Sequence, residues 1–293
     1  MKLGTFLALL DDTEENHCIL EYIHSAIAAD EGHVRGLWAA SSPKHHLGTM
    51  EQGLPIVVID KITNELIEET KSNQKIVEGV FDRWCKHNQI EIIDNFAYES
   101  IAENPKITAS FLTHVGEPQK AIAQIGRVSD FIVASRSQWL DSEEKEDYIH
   151  AAIFETARPV ILLPKEYKSK PIENIAIAWN GKLEASHAIA RAKPFLKRAK
   201  NVYIYIAPSA RTQIDIGEGL EFYLSQHGVY AQIVEIERDG SNVGAAMLKQ
   251  ATEHQIDMIV MGAWSRSRLR QLILGGLTSY MMENATIPVM MAR

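Results

Sequence analysis

The chain has little of what marks the specialised protein classes. Two cysteines, Cys18 and Cys85, stand in 293 residues. They are far apart and outside any metal-ligand spacing, which excludes a disulfide framework and points to a reducing, cytoplasmic compartment. No apolar run nears the roughly 20 residues that span a bilayer, so no membrane partner is expected. The opening Thr5 to Leu10 run is short, leads into acidic residues without a small-residue cleavage site, and reads as a buried strand rather than a signal core. Lys and Arg number 30 against 38 Asp and Glu, for a net charge of -8, and only Arg266, Arg268 and Arg270 cluster. A nucleic-acid surface therefore has little electrostatic support. The Gly-x-Ser-x-Gly elbow, the His-Glu-x-x-His helix and the Walker lysine are all missing, which leaves nucleophilic, zinc-hydrolytic and phosphate-loop ATPase chemistry without minimal parts. Eleven histidines do not supply a metal site, because His45-His46 and the Cys85, His87 pair each fall short of three or four ligands at a recognised spacing.

What the chain does have is a repeat. Met258 to Arg293 restates Phe131 to Lys165: Asp130-Phe131-Ile132-Val133 matches Asp257-Met258-Ile259-Val260, and Glu155 to Val160 echoes Glu283 to Val289. Two copies of one domain are expected, as the length also suggests. The boundaries read as a domain over 1–164, a linker over 165–173 in which charged Lys165 to Lys170 leads to Pro171, and a domain over 174–293.

Within the first copy the pattern predicts a strand at Thr5 to Leu10, a helix through Ile27 and a strand at His33 to Ala40. A loop or insertion follows at Ser41 to Pro55, then a helix from about Ile62 to Asn88 and a strand at Ile90 to Phe96. A further helix after Pro118 leads into the strand at Phe131 to Ser135. The second copy restarts at Ile175 to Trp179, turns at Asn180-Gly181, and continues as Lys182 to Arg198 helix, Val202 to Ile206 strand, Gly217 to His227 helix, Val229 to Glu235 strand, Ser241 to His254 helix and Met258 to Met261 strand. Strands separated by helices need crossovers, hence an α/β fold of two tandem doubly wound domains. Each is expected to be a mostly parallel five-stranded sheet with helices on both faces.

In such sheets ligands sit beyond the carboxyl ends of the strands where the winding reverses, which selects the loops after the first and fourth strands. In the second copy these hold Asn180-Gly181 and Gly262 to Gly276. Gly262 lets a ligand approach the backbone, Ser265 offers a hydroxyl, and Gly275-Gly276 opens a final helix through Leu277, Thr278 and Ser279 whose first amides are unpaired. Free amides and the helix dipole make an anion site, most naturally for phosphate. Arg266 is the best placed of the three arginines to neutralise one. The plainer reading stays open: Gly262 ends a strand, Gly275-Gly276 joins two helices, the arginines form a solvated face, and Trp264 packs against its own domain. The first copy has no glycine of this loop, and Asp141-Ser142-Glu143-Glu144 would repel a phosphate there. Asp11 reads as a helix cap.

Gly262, two residues, Ser265, nine residues, Gly275-Gly276-Leu277-Thr278, and the ending Ala285 to Val289 resemble the nucleotide-binding signature of the universal stress protein (UspA) family. Ile175 to Gly181 and Phe6 to Thr13 resemble its opening segment, so the likeness covers nearly the whole chain as a tandem pair. The family pattern is Gly, two residues, Gly, nine residues, then Gly followed by Ser or Thr, with an aspartate after the first strand. Here Ser265 replaces a glycine, Gly276 a hydroxyl residue and Asn180 the acid. The resemblance implies an adenine nucleotide, ATP or a relative with or without Mg, held by Asn180, Ala207, Gly262, Ser265, Arg266, Gly275, Gly276, Leu277 and Thr278, with Ala207 offering backbone to the base. It also implies a stress-response role exercised through conformation or partner binding, with hydrolysis slow or absent. The terminal strands would form an intrachain pseudo-dimer, a homodimer, or both. A module of the same fold that no longer binds nucleotide, and recognises a protein instead, is the rival.

Overall fold

Apolar runs and helical periods alternate along the chain, and the computed structural model describes residues 4–27, 31–42, 56–93, 107–136, 143–165, 167–207, 215–237, 242–263 and 276–293. The first half contains β1 (Gly4–Leu10), α1 (Asn16–Ile27), β2 (Gly32–Ser41), α2 (Ile56–His87), β3 (Glu91–Ile92), β4 (Thr108–Gly116), α3 (Pro118–Gly126), β5 (Phe131–Ser135), α4 (Glu143–Glu155) and β6 (Val160–Leu163). The second contains β7 (Asn174–Ala178), α5 (Leu183–Leu196), β8 (Asn201–Ile206), α6 (Asp215–Ser225), β9 (Ala231–Glu235), α7 (Val243–Glu253), β10 (Met258–Gly262), α8 (Leu277–Asn284) and β11 (Val289–Ala292).

The strands form one 11-stranded sheet in the order β3-β4-β2-β1-β5-β6-β11-β10-β7-β8-β9. Each half repeats the same winding outward from its first strand, β4-β2-β1-β5-β6 and β9-β8-β7-β10-β11, and β3 adds an outer edge. Neighbours within a half run parallel, as crossover helices require. The halves meet where β6 and β11 pair antiparallel, with Val289 opposite Leu162, Met290 opposite Ile161 and Met291 opposite Val160.

Two apolar layers, one on each face, run across this joint. One layer holds Ile19, Ile23 and Phe81 of the first half together with Phe195 and Leu224 of the second. The Phe131 and Phe195 rings meet edge to face at 5.2 Å, and Tyr22 Oη donates to Met258 Sδ at 3.5 Å. The other layer joins Ile122, Ile149 and Ile153 to Met247, Met281 and Met282. Strands buried on both faces explain why β1, β5 and β10 read as unbroken apolar runs.

Three elements depart from the sequence reading. β4 is a nine-residue strand where none is expected, and the strand expected over Ile90 to Phe96 is reduced to Glu91–Ile92, its residues 94–96 lying outside the described set. Helix α2 begins at Ile56 rather than Ile62. Residues 43–55 of the expected insertion also lie outside the described residues, whereas Ser41 closes β2.

Candidate functional site at the carboxyl rim

The winding reverses between β1 and β5 in the first half and between β7 and β10 in the second. The register makes these two places comparable position by position. Phe6 pairs with Phe131 as Ile175 pairs with Met258, so Asp11 corresponds to Asn180, Glu15 to Glu184 and Ser135 to Gly262.

In the second half, Gly262 closes β10 against the start of α5. A Cβ there would lie 2.6 Å from Ala185 N, 2.7 Å from Glu184 C and 2.9 Å from Glu184 Cβ, so helix packing alone demands glycine. Asn180, exposed after β7, uses Oδ1 to accept from Lys182 N at 3.1 Å. That leaves its amide NH2 to face outward as a donor. Gly181 takes φ +69 with Ile216 Cδ1 3.5 Å from its would-be Cβ, and Trp179 Nε1 donates to Ile216 O at 2.9 Å. The first turn of α6 thus lies over the ends of β7 and β8, beside half-buried Ala207.

Helix α8 follows β10 and leads into β11, which is parallel to β10, so its N-terminus lies at the carboxyl rim. Gly276 is its N-cap, at φ 144 and ψ 173 with no side-chain cap bond. That backbone is open to glycine almost alone. The first amide with an intrahelical partner is Tyr280 N, which donates to Gly276 O at 3.1 Å. The amides of Leu277, Thr278 and Ser279 precede it and carry the positive end of the dipole. Helix α7, by contrast, is capped by Asn242 Oδ1, which accepts from Gly244 N at 2.8 Å. Ser265, Arg266 and Gly275 lie outside the described residues, as do Trp264, Arg268 and Arg270.

At the first-half rim, side chains bond one another between the end of β5 and the start of α1. Ser135 Oγ donates to Glu15 Oε2, Arg136 follows, and Arg136 Nη1 donates to Ala285 O across the joint between the halves. Asp11 Oδ1 accepts from Thr13 N at 3.0 Å, and Asn16 Oδ1 accepts from Asp11 N at 3.0 Å, a local turn at the entry to α1. Asp141 and Ser142 lie outside the described residues, and so do the side chains of Glu143 and Glu144. The Glu15 and Glu184 correspondence escaped the sequence reading, although aligning the two first strands would have placed both glutamates at one position.

Elsewhere, Cys85 is buried, and burial with nearby Asp82 pushes its thiol up to about 12, so it is an inert core residue. His45 and His46 lie outside the described residues. Among the described residues no three His, Cys, Asp or Glu side chains gather into a metal-sized cluster, and no helix is long and apolar enough to cross a membrane. A cleft of ≈ 640 Å³ opens at the opposite, amino-terminal rim of the second half, between Lys170, Asn174, Ala251, Gln255, Asp257 and Ile287. It is remote from the strand ends discussed above, and its polar edge is occupied by the Lys170 to Asp257 ion pair at 2.6 Å.

The second half, from just before β7 to the end, has a recognisable relative. Residues 172–293 match the Universal stress protein family. No curated protein matches the chain. Among solved structures, the chain is similar to a universal stress protein from Archaeoglobus fulgidus at 16% identity, covering 100% of this chain and 97% of that one with a TM-score of 0.65. It is also similar to a functionally unknown protein from Pseudomonas aeruginosa at 11% identity, covering 99% and 92% with a TM-score of 0.52. At these identities the likeness establishes the fold alone, a mostly parallel α/β arrangement.

Proposed function

We propose that the chain is a tandem universal stress protein, with domains over 1–164 and 174–293 joined by 165–173, that binds an adenine nucleotide in its second domain and acts in stress response through conformation or partner binding. The observation that carries this reading is the N-terminus of α8: a glycine N-cap in a backbone reserved for glycine, no side-chain cap, and a place beside the point where the winding reverses. Such a terminus receives phosphate oxygens on backbone amides. Asn180 supplies a donor on the β7 side, and Ser265, Arg266 and Gly275 would complete the loop. With no acidic cluster of three among the described residues, Mg would enter on the phosphates rather than in a protein cage. Slow hydrolysis is compatible with this site.

Calorimetry of the intact protein with ATP, ADP and AMP tests the proposal. Heat with at least one of them, lost in Gly275→Asp, is expected, and no heat with any of the three would end it. The rival reading, a partner-recognition module without nucleotide, is favoured by one fact: Gly262 and the Asn180 oxygen both already serve the fold. The supernatant of heat-denatured protein separates the two, because co-purified or retained adenine nucleotide belongs only to the first.

A further inference from the structure

At the end of β5 one residue reaches into the second half. Arg136 is held by its backbone, its N–H donating to Leu163 O at 2.8 Å, and its side chain crosses to Ala285 O. Ala285 is the C-cap of α8, with its own N–H donating to Met281 O at 3.0 Å. The guanidinium therefore sits on the negative pole of the very helix whose positive pole faces the candidate nucleotide site. Glu15 stands beside Arg136 and favours its charge against the cost of burial, and Ser135 fixes Glu15 in turn. The corresponding position in the second half is Ala263, which has no side chain to send back, so this contact runs one way.

A helix of eight residues is far too short to hold itself together in water, and its place is set by what grips it. Three things grip α8. Met281 and Met282 are buried beneath it, Tyr280 lies so close to Gly244 that a Cβ there would be 2.3 Å from its ring, and Arg136 holds its end. The first two fix the middle of the helix. Met281 and Met282 share an apolar layer with Ile149 and Ile153 of the first half, and Arg136 adds a directed hydrogen bond from that half to the end of the helix.

We infer that Arg136 is a positioning residue for the second-half rim: it anchors α8 from the first half, so that the loop amides at Gly276 are presented correctly only while the two halves stay engaged, and a ligand there is felt at Glu15 and Ser135. Two groups that bias one element from its two ends are thermodynamically coupled, and the coupling is reciprocal. The ligand side of this inference rests on the nucleotide reading above; the anchoring side does not.

The test uses the full chain as wild type, Arg136→Gln, Arg136→Lys and Glu15→Gln, with hydrogen exchange of residues 277–284 in the ligand-free protein and ATP affinity by calorimetry. Losing a charge-assisted hydrogen bond should speed exchange in α8 by about tenfold and weaken ATP binding by a factor of roughly three to ten in Arg136→Gln. Arg136→Lys should recover part of both, and Glu15→Gln should give a smaller loss in the same direction. A merely structural role would raise exchange evenly over the chain instead. Unchanged exchange in α8 overturns the anchor. Faster exchange with unaltered ATP affinity overturns the positioning role. If wild type binds no ATP, the nucleotide reading falls, and the exchange arm alone still decides whether Arg136 anchors α8. Should Arg136→Gln fail to fold, Arg136→Lys and Glu15→Gln carry the same comparison.

Discussion

Asp257 stands to β7 as Asp130 stands to β1. Asp130 Oδ2 accepts from Thr5 N at 2.7 Å, and Asp257 Oδ2 accepts from Glu173 N at 2.9 Å and Asn174 N at 2.8 Å. Each aspartate precedes its β strand and stitches the first strand of the same half. The second copy is the more committed one, since Asp257 is buried and its other oxygen takes Lys170 Nζ at 2.6 Å. Asp257→Ala should therefore cost about 3 kcal/mol, because it leaves two backbone amides at the start of β7 without their acceptor. Asp130→Ala, at an exposed position, should cost about 1 kcal/mol. Urea denaturation of both variants gives the comparison, and equal losses would break the proposed difference.

Gly262 and Gly276 are required for different reasons, and alanine should separate them. At Gly262 a methyl group meets the backbone of α5, so Gly262→Ala should destabilise the fold by about 2 kcal/mol with or without ligand. At Gly276 the residue is exposed and the obstacle is its φ of 144, so Gly276→Ala should cost about 1 to 2 kcal/mol through local strain. Hydrogen exchange should place the second effect in α8 and spread the first over β7, α5 and β10.

His33 ties β2 to β4, with Nδ1 2.9 Å from Thr108 Oγ1 and Nε2 2.9 Å from Ser110 Oγ. Burial, assisted by Arg35, lowers its pKa from 6.5 to about 4. The unfolded chain then takes up a proton between those values while the folded chain does not, so stability is full above about pH 6.5 and declines as pH falls toward 4. Thermal midpoints measured across this window should drop with acid in wild type, and the drop should be shallower in His33→Gln.

The two apolar layers pass through the β6 to β11 joint without a break, which ties the halves into one cooperative unit. Unfolding should show one transition, with tryptophan fluorescence from Trp38, Trp84 and Trp179 coinciding with far-ultraviolet circular dichroism. Met290→Ala at the joint should lower stability by about 2 to 4 kcal/mol while keeping the two signals together. A separate melting step for either half would contradict the continuous core.

The strands most plainly legible from sequence are those buried on both faces, although the half-exposed β2, β8 and β9 are legible too. β1, β5 and β10 need no polar residue, so Phe6 to Leu10, Phe131 to Ala134 and Met258 to Met261 announce themselves. β4 hides because Thr108 and Ser110 satisfy their hydroxyls on His33, 75 and 77 positions away in the chain, and an interior polar pair reads as loop until its partner is known. The first turn of α2 hides for another reason: Ile56-Val57-Val58-Ile59 is β-branched and follows a proline, which looks like a strand. At the rim, the glycines were visible but their burdens were not. That Gly262 faces Ala185, or that Arg136 ends on Ala285, depends on a register which only the assembled sheet supplies.

The antiparallel seam of β6 and β11 leaves neither strand a free side, since β5 and β10 occupy the others. A second molecule finds nothing to zip onto there, and the stoichiometry of the seam is written into the polypeptide at any dilution. When two identical subunits meet, every substitution arrives on both sides at once. Covalent tandem copies escape that constraint, so the positions that hold Glu15, Ser135 and Arg136 in one copy hold Glu184, Gly262 and Ala263 in its sibling.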